Sequence, residues 1–121
     1  MTPPVLGPLE ARVMDALWEN GPASVRDVIA QLGDEHAYST IATVLTHLDG
    51  KELVSKRNSG RNVHYLANMN RQEHCARLME AALSSGGDRA AAIECFVSHM
   101  TDDDAELVRA ALDRRLRHSG S

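Results

Sequence analysis

Ser39-Thr40-Ile41-Ala42-Thr43-Val44-Leu45-Thr46-His47-Leu48-Asp49-Gly50 reads as a helix with two unlike faces. Ile41, Val44, Leu45 and Leu48 recur at the spacing of a buried stripe, and Gly50 closes the run. Thr40, Thr43 and His47 fall on the opposite face, three and four residues apart. Threonine is a poor helix former, so a row of hydroxyls on an outer face calls for a reason other than helix stability.

Downstream of Leu53 the period changes. Val54 to Arg57 and Arg61 to Ala67 read as two short strands around an Asn58-Ser59-Gly60 turn, with Val63 and Tyr65 alternating with His64 and Leu66. Upstream, Leu9 to Asn20 carries Leu9, Val13, Leu17 and Trp18 at helical spacing and stops at Asn20-Gly21-Pro22. Ser24-Val25-Arg26-Asp27 is a capping box with Asp in place of Glu. It opens a second helix with Val28, Ile29 and Leu32, which ends at Gly33. Three helices followed by a hairpin predict a winged helix-turn-helix over residues 1–67, with Trp18 expected between the first helix and the wing.

Residues 68–121 return to helix, so the chain is mainly α with a small β-hairpin. Asn70-Arg71-Gln72-Glu73 caps a fourth helix lined by Cys75, Leu78, Met79, Ala82 and Leu83, and Ser84-Ser85-Gly86-Gly87 breaks it. Asp88 starts a fifth, with Ile93, Phe96, Val97 and Met100. Thr101 caps a sixth, striped by Leu107, Val108, Ala111, Leu112 and Leu116. Asp102, Asp103 and Asp104 in its first turn and Arg114, Arg115 and Arg117 in its last suit the helix dipole, and this explains the acids without a metal. About 50 residues in three short helices bury too little surface to offset chain entropy alone. A homodimer is therefore expected, with residues 68–121 as a helical dimerisation domain. Its contact residues would be Leu78, Met79, Leu83, Ile93, Phe96, Val97, Met100, Leu107, Val108 and Leu112.

The 121 residues include 16 Ala and 13 Leu but only 4 aromatics, a composition that excludes a β-sandwich and a disordered tail. No apolar run is long enough to span a membrane, and Met1-Thr2-Pro3-Pro4 lacks the features of a signal peptide, so a cytoplasmic location is expected. The net charge of −4 argues against a nucleic-acid binder until the charge is located. Lys51, Lys56, Arg57 and Arg61 face a single acid, Glu52, giving +3 in the eleven residues that follow the threonine-bearing helix. A few cations so grouped suffice for salt-dependent phosphate binding. No phosphate loop, nucleophile motif or zinc-protease motif is present, so neither an enzyme nor a cofactor is expected.

Cys75 and Cys95 form no CxxC pair, and Cys75, on an apolar stripe, is expected to be a small buried hydrophobe. Cys95 and His99, four apart on one helix, are candidates for a metal, haem or redox site that senses an inducer. The plainer reading packs Cys95 at the dimer interface and leaves His99 in solvent. A winged helix used for protein contacts is a further alternative.

Several strings make the chain resemble the BlaI/MecI/CopY group of bacterial repressors, the penicillinase repressors. They are Leu9-Glu10-Ala11-Arg12-Val13-Met14-Asp15-Ala16-Leu17-Trp18, Ser24-Val25-Arg26-Asp27-Val28, Ala37-Tyr38-Ser39-Thr40-Ile41-Ala42-Thr43-Val44-Leu45, Lys51-Glu52-Leu53-Val54 and Arg61-Asn62-Val63-His64-Tyr65. The resemblance implies a dimeric repressor on a palindromic double-stranded operator with TACA/TGTA-type half-sites, the third helix lying in the major groove. Thr40 and Thr43 would then meet bases, with Thr46 and His47 as further contacts. Tyr38, Ser39, Lys51, Lys56, Arg57 and Arg61 would mostly hold phosphates. Copper-responsive members of the group end in a cysteine-rich motif that the tail Arg114 to Ser121 does not have, so copper sensing of that type is not expected. β-Lactam-responsive members are cut at an Asn-Phe bond after signalling by a membrane sensor-protease. The corresponding place here is Cys95-Phe96, which keeps the phenylalanine and not the asparagine.

Overall fold

Gly7 and Pro8 start the first helix, α1 (Pro8–Asn20), with the Gly7 N–H donating to Glu10 Oε1 at 3.0 Å. The computed structural model describes residues 6–119, with Ser59 as backbone only. The Met1-Thr2-Pro3-Pro4 stretch and the last two residues of the tail lie outside the described residues. α1 stops where the Asn-Gly-Pro signal predicts: Gly21 adopts φ 84° and its N–H donates to the Leu17 carbonyl. The second helix, α2 (Val25–Gln31), is opened by the anticipated box. Ser24 Oγ accepts from the Asp27 N–H and Asp27 Oδ2 accepts from the Ser24 N–H, each at 3.1 Å.

The third helix, α3 (Tyr38–Gly50), buries Ile41, Leu45 and Leu48. Gly50 is its last residue, as the sequence pattern suggested, but does not take the left-handed conformation that usually follows a helix. The left-handed turn falls instead on Glu52, at φ 65°. A non-glycine residue is held there because the Asn68 amide donates to the Glu52 carbonyl at 2.8 Å and the Leu53 N–H returns to Leu48 at 3.0 Å.

Strands β1 (Val54–Ser59) and β2 (Asn62–Ala67) pair antiparallel, with Lys56 opposite Tyr65, Arg57 opposite His64 and Ser59 opposite Asn62. β1 thus runs two residues past the expected end, and the two-residue turn is Gly60-Arg61, with Gly60 at φ 63°. Ala23, between α1 and α2, exchanges two backbone hydrogen bonds with Tyr65 at 2.8 and 3.0 Å, adding a third short rung that the sequence did not announce. One core unites these elements: Val13, Met14 and Leu17 of α1, Val28 of α2, the α3 stripe, and Leu53, Val54, Tyr65 and Met69.

The chain continues as α4 (Arg71–Ser85), α5 (Arg89–Ser98) and α6 (Asp102–Ser119). Each begins at its expected cap. Glu73 N–H donates to Asn70 Oδ1 at 2.7 Å, Ala91 N–H to Asp88 Oδ1 at 3.0 Å, and Asp104 N–H to Thr101 Oγ1 at 3.1 Å. Packing divides the chain into two compact units, Met1–Met79 and Glu80–Ser121, a division that falls inside α4, beyond the change of sequence pattern at residue 67.

The first turns of α4 belong with the winged helix because Trp18 reaches them. Its Nε1–H donates to the Met69 carbonyl at 2.9 Å, and its ring lies under the Arg71 guanidinium and beside His74. Trp18 therefore packs against the start of α4 rather than between α1 and the wing. Arg71 also bridges Asp15 at 3.0 Å and Glu19 at 3.6 Å on α1. These contacts fix which side of α4 faces inward. His74 is 5% exposed, and Cys75, expected to be buried, is exposed.

Neither ring nitrogen of His74 has a hydrogen-bond partner among the described residues. Leaving buried donors and acceptors unpaired costs free energy that an apolar side chain of similar reach does not incur. His74→Leu should raise stability by about 1 kcal/mol, which in a domain of this size moves Tm up by a few degrees. A thermal melt checks this.

In the second unit α5 and α6 contribute no buried residue. Ile93, Phe96 and Val97 on α5 and Leu107, Leu112 and Leu116 on α6 are exposed, while Val108 and Met100 are half-buried.

Candidate nucleic-acid interface

The outer face of α3 is built by subtraction. With Ile41, Leu45 and Leu48 fully buried, the helix period turns Tyr38, Ser39, Thr40, Thr43, Thr46 and His47 outward, and all six are exposed. The hydroxyls are not equivalent. Thr46 Oγ1–H donates to the Ala42 carbonyl at 2.9 Å, so Thr46 offers the outside only a methyl group and acceptor lone pairs. The Thr40 and Thr43 hydroxyls have no such bond among the described residues. They remain able to donate, accept, or present their methyl groups.

Beside this row stands the ribbon. Lys56, Arg57 and Arg61 are exposed and form no ion pair among the described residues. Strand alternation sends Lys56 and Arg57 to opposite faces of the hairpin, since Val54 and Tyr65 on the Lys56 face are buried. Arg61 occupies the second turn position at the tip, rather than the strand position read from the sequence.

Lys51 is placed differently from its neighbours. Its ammonium donates to both Glu10 oxygens, at 2.9 and 2.7 Å, and so ties the end of α3 to α1. Counting Glu10, the +3 segment falls to +2. The Lys51 hydrogen bond, with help from the Gly7 N–H, holds the Glu10 carboxyl below its ordinary value of 4.5. A carboxylate with a lowered folded-state pKa stabilises the fold above its unfolded pKa and loses that contribution as pH falls through the folded one. Glu10→Gln should therefore flatten the acid limb of a stability–pH curve below about pH 5 and leave the neutral limb parallel to wild type, as read by denaturant midpoints.

Nothing in the sequence around Arg26 marks it as part of this face. It is exposed, in the first turn of α2, with its Cζ 5.5 Å from the centroid of the Tyr38 ring. Twelve residues separate the two, and only the fold brings them together.

Away from α3, Cys95 Sγ on α5 and Nδ1 of His99, the residue that follows the helix, come within 3.9 Å, and the same nitrogen lies 2.8 Å from the Cys95 carbonyl oxygen. In this rotamer Nδ1–H serves the helix backbone. Among the described residues no three His, Cys, Asp or Glu side chains are grouped so as to hold a metal ion. The Cys95–Phe96 peptide lies within α5, so a protease that takes its substrate extended would need α5 to open locally. No helix among the described residues is long and apolar enough to cross a membrane.

Three helices and a hairpin closed by a third backbone rung define a winged helix, and the exposed polar face of α3 with ribbon cations that make no ion pair among the described residues suits a DNA-binding transcriptional regulator. The family model for the penicillinase repressor matches residues 6–114, and the chain belongs to that family. It is 39% identical over 113 residues to the transcriptional regulator BlaI of Mycobacterium tuberculosis, a match covering 88% of this chain and 82% of that one. Among solved structures, the transcriptional regulator Tm0710 of Thermotoga maritima superposes with TM-score 0.50 at 15% identity, over 94% of this chain and 76% of that one. BpsR of Bordetella bronchiseptica, a protein whose DNA binding is regulated by 6-hydroxynicotinic acid, does so with TM-score 0.51 at 16% identity, over 96% and 80%. At these identities the structural likeness speaks to the fold. Family membership rests on the sequence, and it makes the chain a DNA-binding transcriptional repressor.

Proposed function

We propose that the chain acts as a homodimer on a two-fold symmetric operator with TACA/TGTA-type half-sites. α3 of each protomer lies in the major groove, and residues 68–121 hold the two chains together. Thr40 and Thr43 read bases, with Thr46 offering its methyl group to a thymine and His47 reaching the groove edge. Ser39, Lys56, Arg57 and Arg61 bind phosphates and set the register. Lys51 serves mainly as the tie to Glu10.

The observation that carries this reading is the exposed α3 row beside three ribbon cations that make no ion pair among the described residues, on a chain of net negative charge. The same cations disfavour a winged helix used only for protein contacts. Support for the pairing comes from the apolar side chains that α5 and α6 leave exposed in a single chain. Footprinting on the promoters flanking the gene tests it. The expected result is a symmetric protected site whose occupancy falls steeply with salt. Binding no tighter than to random duplex at moderate salt would overturn the reading.

A further inference from the structure

The Arg26 guanidinium sits against the face of Tyr38, the residue that opens the exposed row of α3. Arg26 makes no ion pair among the described residues. The acid next to it, Asp27, is engaged in both directions with Ser24. A guanidinium held over a ring face at 5.5 Å is attracted through the ring's quadrupole, which uses none of its N–H donors. The ring also restrains a side chain that would otherwise lose about 2 kcal/mol of rotamer entropy on binding. The result is a pre-oriented cation over the ring of Tyr38, the residue that precedes Ser39 and Thr40, where the row of exposed hydroxyls begins. Tyr38 is 53% exposed, so the stack stands at the surface, open to a polymer and not enclosed around a small anion. Lys51, the cation that charge counting places beside α3, is bound to Glu10 instead.

We propose that Arg26 is a phosphate-contacting residue of the DNA interface and that Tyr38 supports it through its ring, as a platform, rather than through its hydroxyl. The proposal rests on the DNA-binding reading above. It assigns the first phosphate contact of α3 to a residue on the preceding helix.

Fluorescence anisotropy with the footprinted operator and with random duplex, between 50 and 200 mM salt, tests it. Each lost phosphate contact lowers the slope of log K against log salt by about 0.9, hence by about 1.8 for Arg26→Ala in a two-protomer complex. The deficit of Arg26→Ala relative to wild type should then narrow about tenfold across that salt range, on both duplexes alike. Tyr38→Phe should bind as wild type does. Tyr38→Ala should weaken binding, and Arg26→Ala with Tyr38→Ala should be no weaker than Arg26→Ala alone. A wild-type slope for Arg26→Ala, with Arg57→Ala still lowering it, overturns the proposal and leaves the DNA reading standing. Loss in Tyr38→Phe as large as in Arg26→Ala overturns the platform role. Failure of wild type to bind either duplex overturns the DNA reading and takes this proposal with it.

Discussion

Phe96→Glu combined with Leu112→Glu should leave the chain monomeric in sedimentation velocity and weaken operator binding about ten-thousandfold. Both side chains are half exposed in a single chain, at 55% and 51%, and neither belongs to the winged-helix core. Placing a carboxylate on each therefore costs little within one chain. Across a buried apolar interface each would remain charged with no partner, which a standard interface of about 1,600 Å² does not tolerate at its centre. The consequence for DNA follows from symmetry. A dimer engages both half-sites in one event, whereas a monomer has roughly half the contacts, and halving the free energy of a specific complex near 10⁻⁸ M moves it beyond micromolar. A melt of the double variant should still show the cooperative transition of the winged-helix unit, which separates loss of pairing from loss of folding. A variant that remains dimeric would mean that the chains pair through some other surface.

The fold was legible where the signal is local. Helix caps at Ser24, Asn70, Asp88 and Thr101 each lie within three residues of the N–H they accept from, so a string of four letters contains the whole interaction. The buried and exposed faces of α3 follow from its period alone, since Ile41, Leu45 and Leu48 must share one side. What escaped depends on partners distant in the chain. Glu10 and Lys51 are 41 residues apart, and nothing in Lys51-Glu52-Leu53 distinguishes an ammonium bound to a carboxylate from one open to phosphate. Trp18 and Met69 are 51 apart, and that hydrogen bond decides that His74 rather than Cys75 turns inward. A helical stripe containing a cysteine looked apolar enough to be the buried one, but α4 has two usable faces and the tryptophan selected the other. Arg26 stands inside the Ser24–Asp27 capping box without bonding in it, and its contact with Tyr38 exists only once α2 and α3 are packed together. The hairpin turn shifted by a residue or two because Gly60 can take the first turn position as readily as the last.

Arg57 and Arg61 on one side and Thr43 on the other should fail in different ways, and the contrast separates holding DNA from reading it. Arg57→Ala with Arg61→Ala removes two cations per protomer, and four contacts per dimer lower the salt slope by about 3.6. From 50 to 200 mM salt the deficit of this variant relative to wild type should therefore narrow by about a hundredfold, equally for operator and for random duplex. Thr43→Ala leaves every cation in place, so its salt slope should match wild type. Its loss should fall on the cognate site alone, at about 1–3 kcal/mol for each base contact removed, and so compress the ratio of operator to random binding. Both changes are at exposed positions, so far-UV circular dichroism and Tm should barely move. The chain as a whole carries −4. With its field adverse to DNA except at the ribbon and Arg26, non-specific binding should be weak, and discrimination should depend more heavily on the α3 hydroxyls than in a broadly basic repressor. If Thr43→Ala lowered the salt slope while the arginine variant kept it, the assignment of the two surfaces would be inverted.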